Sequence, residues 1–365
     1  MRGPSRVDAG PVSGYSGPML PRERVEAALS FRTPDIIPLQ VAPSPAGLYE
    51  HGQKLLDLER ACGGDFGDPA LTRLPDPPGP GDFDPDGRYH AIRTDGWGTT
   101  WEYRIFGIWG HPIAWPLNDL SALDSWHAPA LPPMEGPEHE KARASADLHR
   151  KTWYLLEDVG SLFETLRWVR RFESILMDIE DDTPEINRIA DIIGRYDADL
   201  LRHALSVGAD AVTFGDDLGT QNALMISPES FRRFFEPRYR SLFAPAVAAG
   251  TRVFFHSCGM TLPVLEDLRG VGATALWPQL PLYDLRELAR RCRSLGIAVQ
   301  LHPDRGELMQ HGTPGQVRDY VLRLLDTFDT AHGGSWLYIE IDPGFPWENV
   351  KALFSVAMEV RGQRP

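Results

Sequence analysis

From about residue 196 to its end, the chain alternates short apolar runs with longer amphipathic stretches. The runs 210–216 (DAVTFGD), 252–257 (RVFFHS), 273–278 (ATALWP), 297–302 (IAVQLH) and 336–341 (WLYIEI) are rich in β-branched and aromatic residues. They are too short for buried helices and are predicted as strands. Between them, helical periodicity predicts helices near 183–206, 228–249, 261–270, 283–295, 313–328 and 347–361. Thr183, Ser227 and Thr313 each precede a proline, the order of a hydroxyl N-cap followed by Pro at the first helical position. Gly208, Gly250, Gly272 and Gly296 stand between a helix and the next strand, where a left-handed C-cap is expected. This spacing predicts a parallel sheet with helices outside it. With 36–41 and 154–160 as earlier strands the count reaches about seven or eight, that of an α/β (β/α)8 TIM barrel. A doubly wound open sheet fits less well, because no glycine-rich dinucleotide fingerprint follows any strand.

Residues 62–150 break the repeat. A Pro/Gly-rich segment (76–87, DPPGPGDFDPDG) leads into the extended pieces YHAIRT and TTWEYRIFG, predicting an inserted β-hairpin at the barrel mouth. Trp97, Trp101, Trp109 and Trp115 concentrate there, either as a local cluster that pins the insertion or with one or two facing a substrate. Residues 1–20 are rich in Gly, Pro and Ser and lack the apolar core of a signal peptide, so a flexible leader is expected. The organisation expected is thus that leader and one barrel domain over 21–365.

Composition narrows the class. A hydrophobic fraction of 42% and a charged fraction of 24% are those of a soluble globular protein. The net charge of −14 argues against nucleic acid or an anionic membrane as partner. No run approaches the length of a membrane span. Three widely spaced cysteines, Cys62, Cys258 and Cys292, fit a reducing cytoplasm. Monomer and homodimer are both compatible with the sequence.

Barrel enzymes carry their reactive groups at the C-terminal ends of the strands. There the chain offers Glu157-Asp158, then Asp216-Asp217 followed by Gln221, then His256-Ser257-Cys258. Trp277-Pro278-Gln279, His302-Pro303-Asp304-Arg305 and Glu340-Ile341-Asp342 complete the series. Alternation on a strand points His256 and Cys258 to one place, an N/S donor pair suited to zinc. A catalytic zinc takes a third protein ligand. Glu340 is the first choice, against a salt bridge to a barrel arginine, with Asp216, Asp217 and His302 as competitors. Asp216 and Asp217 are neighbours, so one is expected to face the pocket as acid or substrate anchor while the other caps the following loop. His302 is a candidate general acid, ligand or packing residue. Glu157, Gln221, Gln279, Arg305 and Trp97 are candidate substrate contacts.

The segment GADAVTFGDDLGTQNALMISPESFRRFFEPRYRSLFAPAVAAGTRVFFHSCG resembles the uroporphyrinogen decarboxylase superfamily, and within it the branch of cobalamin-dependent methyltransferases and O-demethylase components. RERVEAALSFRTPDIIPLQ, DGWGTTWEY, GHPIAWPLNDL, GTPGQVRDYV and PGFPWENVKAL extend the resemblance over nearly the whole chain after residue 20. It implies a (β/α)8 barrel with its site at the strand C-termini. Two departures stand out. The decarboxylases carry an arginine-rich motif near the N-terminus, whereas Gln40–Glu50 (QVAPSPAGLYE) contains no arginine, which weakens capture of a many-carboxylate substrate. The methyltransferase branch pairs HxC with a second cysteine before a PGTPxEN-like segment. Here that stretch reads Tyr338-Ile339-Glu340-Ile341-Asp342, with no cysteine, so Glu340 would replace it. A carboxylate in place of a thiolate makes zinc the stronger Lewis acid and favours an oxygen-bearing substrate.

The resemblance therefore implies a zinc-dependent methyltransferase that moves a methyl group between a small methoxylated or methylated compound and a corrinoid, free or on a partner protein. His256, Cys258 and Glu340 would hold zinc, Asp216 or Asp217 and His302 would manage protons, and the tryptophan-rich insertion would exclude water. The alternatives are a metal-free carboxy-lyase working through Asp216, Asp217 and Arg305, and a catalytically silent barrel.

Overall fold

The computed structural model describes residues 17–363. Its strands are β1 (Leu39–Val41), β2 (Ala91–Thr94), β3 (Thr100–Tyr103), β4 (His111–Ala114), β5 (Leu156–Asp158), β6 (Ala211–Gly215), β7 (Arg252–Ser257), β8 (Ala273–Pro278), β9 (Ala298–Leu301) and β10 (Ser335–Ile339). Seven of them form one parallel sheet in the order β1-β10-β9-β8-β7-β6-β5. The sheet curls into a TIM-barrel-like fold with helices outside. Val253 and Phe255 of β7 pack outward on those helices while Phe254 packs inward, so the strand is buried on both faces and reads as a continuous apolar run. The caps follow the sequence: Thr183, Ser227 and Thr313 accept backbone N–H bonds at helix starts, and Gly208, Gly250, Gly272 and Gly296 are all left-handed.

Among the described residues the sheet has no eighth strand, and one residue spans the gap between β1 and β5. The Asp65 backbone N–H donates to Leu39 O at 2.8 Å, and its C=O accepts from Tyr154 N at 3.0 Å. The Asp65 side chain is fully buried. One carboxylate oxygen meets Arg24; the other accepts from Leu39 N at 2.7 Å and Arg361 Nη1 at 2.7 Å. The N-terminal helix Pro21–Leu29, the C-terminal segment and both edges of the sheet are thereby tied to one carboxylate.

Alternation decides what lies inside the barrel. Its floor is a cluster of Tyr154, Ala211, Phe254, Ala275, Ala298 and Trp336, plugged from below by Val25 and Leu29. Small residues on three strands make room for large rings on the others, with Phe254 and Trp336 centroids 5.1 Å apart. Two residues further along the same strands come Leu156, Thr213, His256, Trp277 and Tyr338, followed by Asp158, Gly215, Cys258 and Glu340. The interior thus changes from apolar floor to polar rim at fixed parity.

The insertion over 62–150 holds more than a hairpin. Strands β2, β3 and β4 form a three-stranded antiparallel sheet, and Gly136–His149 is a helix. The sheet docks on helix Phe163–Val169 through Thr99 Oγ1 to Trp168 O at 2.8 Å and Trp115 Nε1 to Arg167 O at 3.2 Å. Most of the expected leader, residues 1–16, lies outside the described residues. Met19 within it is anchored, its N–H donating to Asp35 Oδ2 at 2.8 Å.

Replacing Asp65 by alanine leaves Arg24 and Arg361 buried without their shared counter-charge. The expected loss is roughly 3–5 kcal/mol, the cost of breaking a buried ion pair from one side, read as a lower denaturation midpoint. An unchanged midpoint would show that the barrel does not depend on this residue.

Candidate metal centre

His256 and Cys258 leave the end of β7 on the same side. Asp217, two residues past the end of β6, reaches them from the neighbouring strand. His256 Nε2 lies 3.6 Å from Cys258 Sγ and 3.3 Å from Asp217 Oδ1, and all three donor atoms fall within 4.8 Å of one another. Zinc bonds of about 2.3 Å to sulfur and about 2.0–2.1 Å to nitrogen and oxygen, meeting at a tetrahedral angle, set S···N about 3.6 Å apart and N···O about 3.4 Å apart. The donor atoms fit a zinc ion with little movement, and two of the three residues, Asp217 and His256, line the cavity.

The surroundings fix these donors. His256 Nδ1 donates to Trp277 O at 3.0 Å, which leaves Nε2 turned to Cys258 and Asp217. Asp217 Oδ1 accepts the Cys258 backbone N–H at 2.7 Å. The loops that carry them interlock: a Cβ added at Gly259 would lie 2.1 Å from the Gly219 carbonyl, so neither loop can carry a side chain there. Burial raises the Asp217 carboxyl, but the His256 hydrogen bond and charge outweigh it and hold it at about 2. Burial likewise lowers His256, but hydrogen bonds to Asp217 and Cys258 outweigh it and raise the imidazolium to about 9. Without metal, the His256 imidazolium sits against the Asp217 carboxylate.

The centre opens into a cavity of about 810 Å³. Trp97, Trp101, Trp109 and Trp115 of the insertion form part of its wall, with Trp168 and Trp277. The four insertion tryptophans are thus both a local cluster and a lining. Trp97 stacks on Trp126 at 5.5 Å and meets Tyr196 edge-on at 5.0 Å.

The other expected residues are placed as follows. Asp216 and Asp217 diverge, and Asp217 enters the cavity. Asp216 is fully buried and accepts the backbone N–H groups of Leu162 and Glu164 and the Tyr239 hydroxyl. It caps a helix and is not positioned for substrate chemistry. His302 is wedged between Pro278 O at 2.8 Å and Pro303 O at 2.9 Å, away from the cavity, with burial lowering its pKa. Glu340 does line the cavity, but it pairs with Arg305 and lies outside the donor group, where Asp217 stands instead. Arg305 lines the cavity and also contacts Asp342 at 3.3 Å. Gln279 holds the loop after β7, accepting Gly259 N–H at 3.0 Å. Gln221 is exposed on the loop after β6, and Glu157 points away while its neighbour Asp158 borders the cavity.

Two acids that border the cavity have no counterpart in the sequence reading. Glu164, on helix Phe163–Val169, pairs with Arg167, yet burial dominates and raises its carboxyl to about 7. Asp197 lies on helix Pro184–Val207 in the buried row Ile186, Ile189, Ala190, Ile193, Asp197, Leu201. An acid inside an apolar stripe at helical spacing is the signal that could have found it. Burial raises Glu340 to about 7 as well, against its Arg305 partner.

A family model described as uroporphyrinogen decarboxylase (URO-D) matches residues 160–360, the stretch containing every donor of the metal centre. Among solved structures, a methyltransferase from Methanosarcina mazei aligns with 93% of this chain and 98% of its own, at TM-score 0.60 and 15% identity, a likeness of fold. A dihydropteroate synthase from Xanthomonas albilineans aligns with 54% of this chain and 65% of its own, at TM-score 0.35 and 14% identity. An AP endonuclease of family 2 from Brucella melitensis aligns with 61% and 94%, at TM-score 0.36 and 16% identity. These two similarities are too weak to bear on the site. A search of curated proteins finds no match. No helix among the described residues is long and apolar enough to cross a membrane.

The titrations set a pH dependence for the metal-free protein. Glu164 and Glu340 ionise less readily in the fold, so each costs stability as pH rises from about 4.5 to about 7. His256 stabilises the fold below about 6.5, and that contribution is lost as pH rises through about 9. All three act in one direction but His302, lowered by burial, opposes them below about pH 6.5, so the melting temperature is expected to fall between pH 7 and pH 9. A flat or rising profile in calorimetry would contradict these assignments.

Proposed function

The chain belongs to the uroporphyrinogen decarboxylase family, and from that premise we propose that it is a zinc-dependent methyltransferase. It moves a methyl group between a small methylated or methoxylated compound and a corrinoid, free or carried by a partner protein, in the cytoplasm. The observation that carries this reading is the Asp217, His256 and Cys258 donor set, with spacing that suits zinc, beside the cavity that Asp217 and His256 line. Zinc held there supplies a Lewis acid that draws electron density from the heteroatom bearing the methyl group. One thiolate and one carboxylate leave it more acidic than two thiolates would, which favours an oxygen-bearing substrate.

The protein's own residues do the rest. The Trp277 carbonyl keeps His256 in the tautomer that presents Nε2. Glu164, with its pKa near neutrality, borders the cavity and can pass a proton to or from a heteroatom that loses or gains the methyl group. Glu340 is poised in the same way beside Arg305. Trp277, packed on the His256 ring at 4.1 Å, limits water at the reacting end. The carboxy-lyase reading has less support, because Asp216 is consumed by its helix cap and Arg305 by Glu340 and Asp342.

Elemental analysis of the purified protein tests the proposal. About one zinc per chain is expected, lost in His256→Ala and in Cys258→Ser but kept in Glu340→Gln. Loaded protein is expected to methylate a reduced corrinoid from a methoxylated donor, followed by the visible spectrum. Protein that neither holds nor regains zinc rules the mechanism out. Zinc binding without methyl transfer to any corrinoid would point to a silent barrel.

A further inference from the structure

The cavity carries a second feature, away from the metal donors. Trp101, Trp109 and Trp168 form one aromatic wall: Trp109 stacks on Trp168 at 5.4 Å, and Trp101 meets Trp168 edge-on at 5.6 Å. Two carboxyls border the same cavity without a cationic partner among the described residues. Asp158, at the end of β5, accepts Gly160 N–H at 3.0 Å and the Thr213 hydroxyl at 3.3 Å. Asp197 is 1% exposed, and its Oδ2 has no hydrogen-bond partner. Gly160 packs so closely on Asp197 that an added Cβ would lie 2.3 Å from Oδ1. Burial raises both carboxyls, and Asp158 and Asp216 raise Asp197 further by repulsion.

The cations bordering the cavity are already engaged. Arg167 pairs with Glu164, Arg305 with Glu340 and Asp342, and His256 with Asp217. Among the described residues, an anionic ligand finds no free guanidinium there. A neutral ligand without a donor leaves the buried Asp197 carboxyl unpartnered, which is costly away from water. A second metal ion has no place to bind, since only the Asp217 group brings three donors together among the described residues. Aromatic faces beside uncompensated carboxyls are the means by which proteins hold alkylammonium groups.

We infer that the substrate is an organic cation, a methylated compound whose ammonium group lies against Asp158 and the Trp101, Trp109 and Trp168 wall, with the unpartnered Asp197 carboxyl beneath it. Asp158 is two strands from the end of β7, so the ammonium sits roughly 10 Å from the metal centre, where the methyl-bearing heteroatom binds. The inference rests on the methyl-transfer reading for what happens to the methyl group, but the recognition does not involve the metal.

Binding to the full, metal-free protein tests it directly. Choline, its uncharged isostere 3,3-dimethylbutan-1-ol, and benzoate are titrated while tryptophan fluorescence and heat are followed. Choline is expected to bind about tenfold or more tightly than the alcohol, with benzoate weaker than both. Asp158→Asn is expected to abolish the preference for choline, and Trp168→Ala to weaken choline binding. Equal affinity for choline and the alcohol, tighter benzoate binding, or no choline binding overturns the inference. Because the readout needs neither zinc nor corrinoid, its failure leaves the zinc mechanism standing. Failure of zinc binding likewise leaves a measured preference for choline intact.

Discussion

The closed parallel sheet is the constraint on which everything else in this molecule depends. Closure fixes which face of every strand looks inward, and strand parity then assigns each rim residue to the cavity or to the helices. Here closure passes through Asp65, whose backbone bridges β1 and β5 and whose carboxylate holds Arg24 and Arg361. A single buried acid therefore joins the N-terminal helix, the C-terminal segment and both sheet edges. Below the rim the same parity packs Tyr154, Phe254 and Trp336 against alanines; above it, His256, Cys258 and Asp217 converge.

That convergence is sharpened by the loops. The approach of Gly219 to Gly259 clamps the segment after β6 onto the segment after β7. The clamp carries Asp217 to the imidazole of His256 and seats its carboxylate on the Cys258 N–H. The neighbouring Asp216, one residue out of phase, is turned to the opposite side and spends its charge on a helix start and on Tyr239. Two adjacent acids thus separate into one that enters the cavity and one that caps a helix.

Much of this could be read from the chain. The convergence of His256 and Cys258 follows from the two-residue period of a strand, and the divergence of Asp216 from Asp217 follows likewise. Which of the two acids enters the cavity did not follow, because β6 is apolar on both faces and its pattern does not mark the inside. Glu340 has the correct parity and does reach the cavity, but nothing in the sequence shows that Arg305 takes its charge. Asp65 bridges the barrel as one residue, too short to produce a pattern. Helices Phe163–Val169 and Phe172–Glu180 lack the proline caps that marked other helices, and with them Glu164, Arg167 and Trp168 stayed hidden. The insertion's tryptophans were visible, but their place on the cavity wall depends on docking against that unforeseen helix.

The central claim is that one sulfur and two light atoms, from Cys258, His256 and Asp217, hold a zinc ion at the barrel rim. X-ray absorption at the zinc edge on loaded protein tests it most directly. The account predicts a single sulfur at about 2.3 Å with nitrogen and oxygen neighbours at about 2.0–2.2 Å. A shell with two sulfurs, or with none, would contradict it.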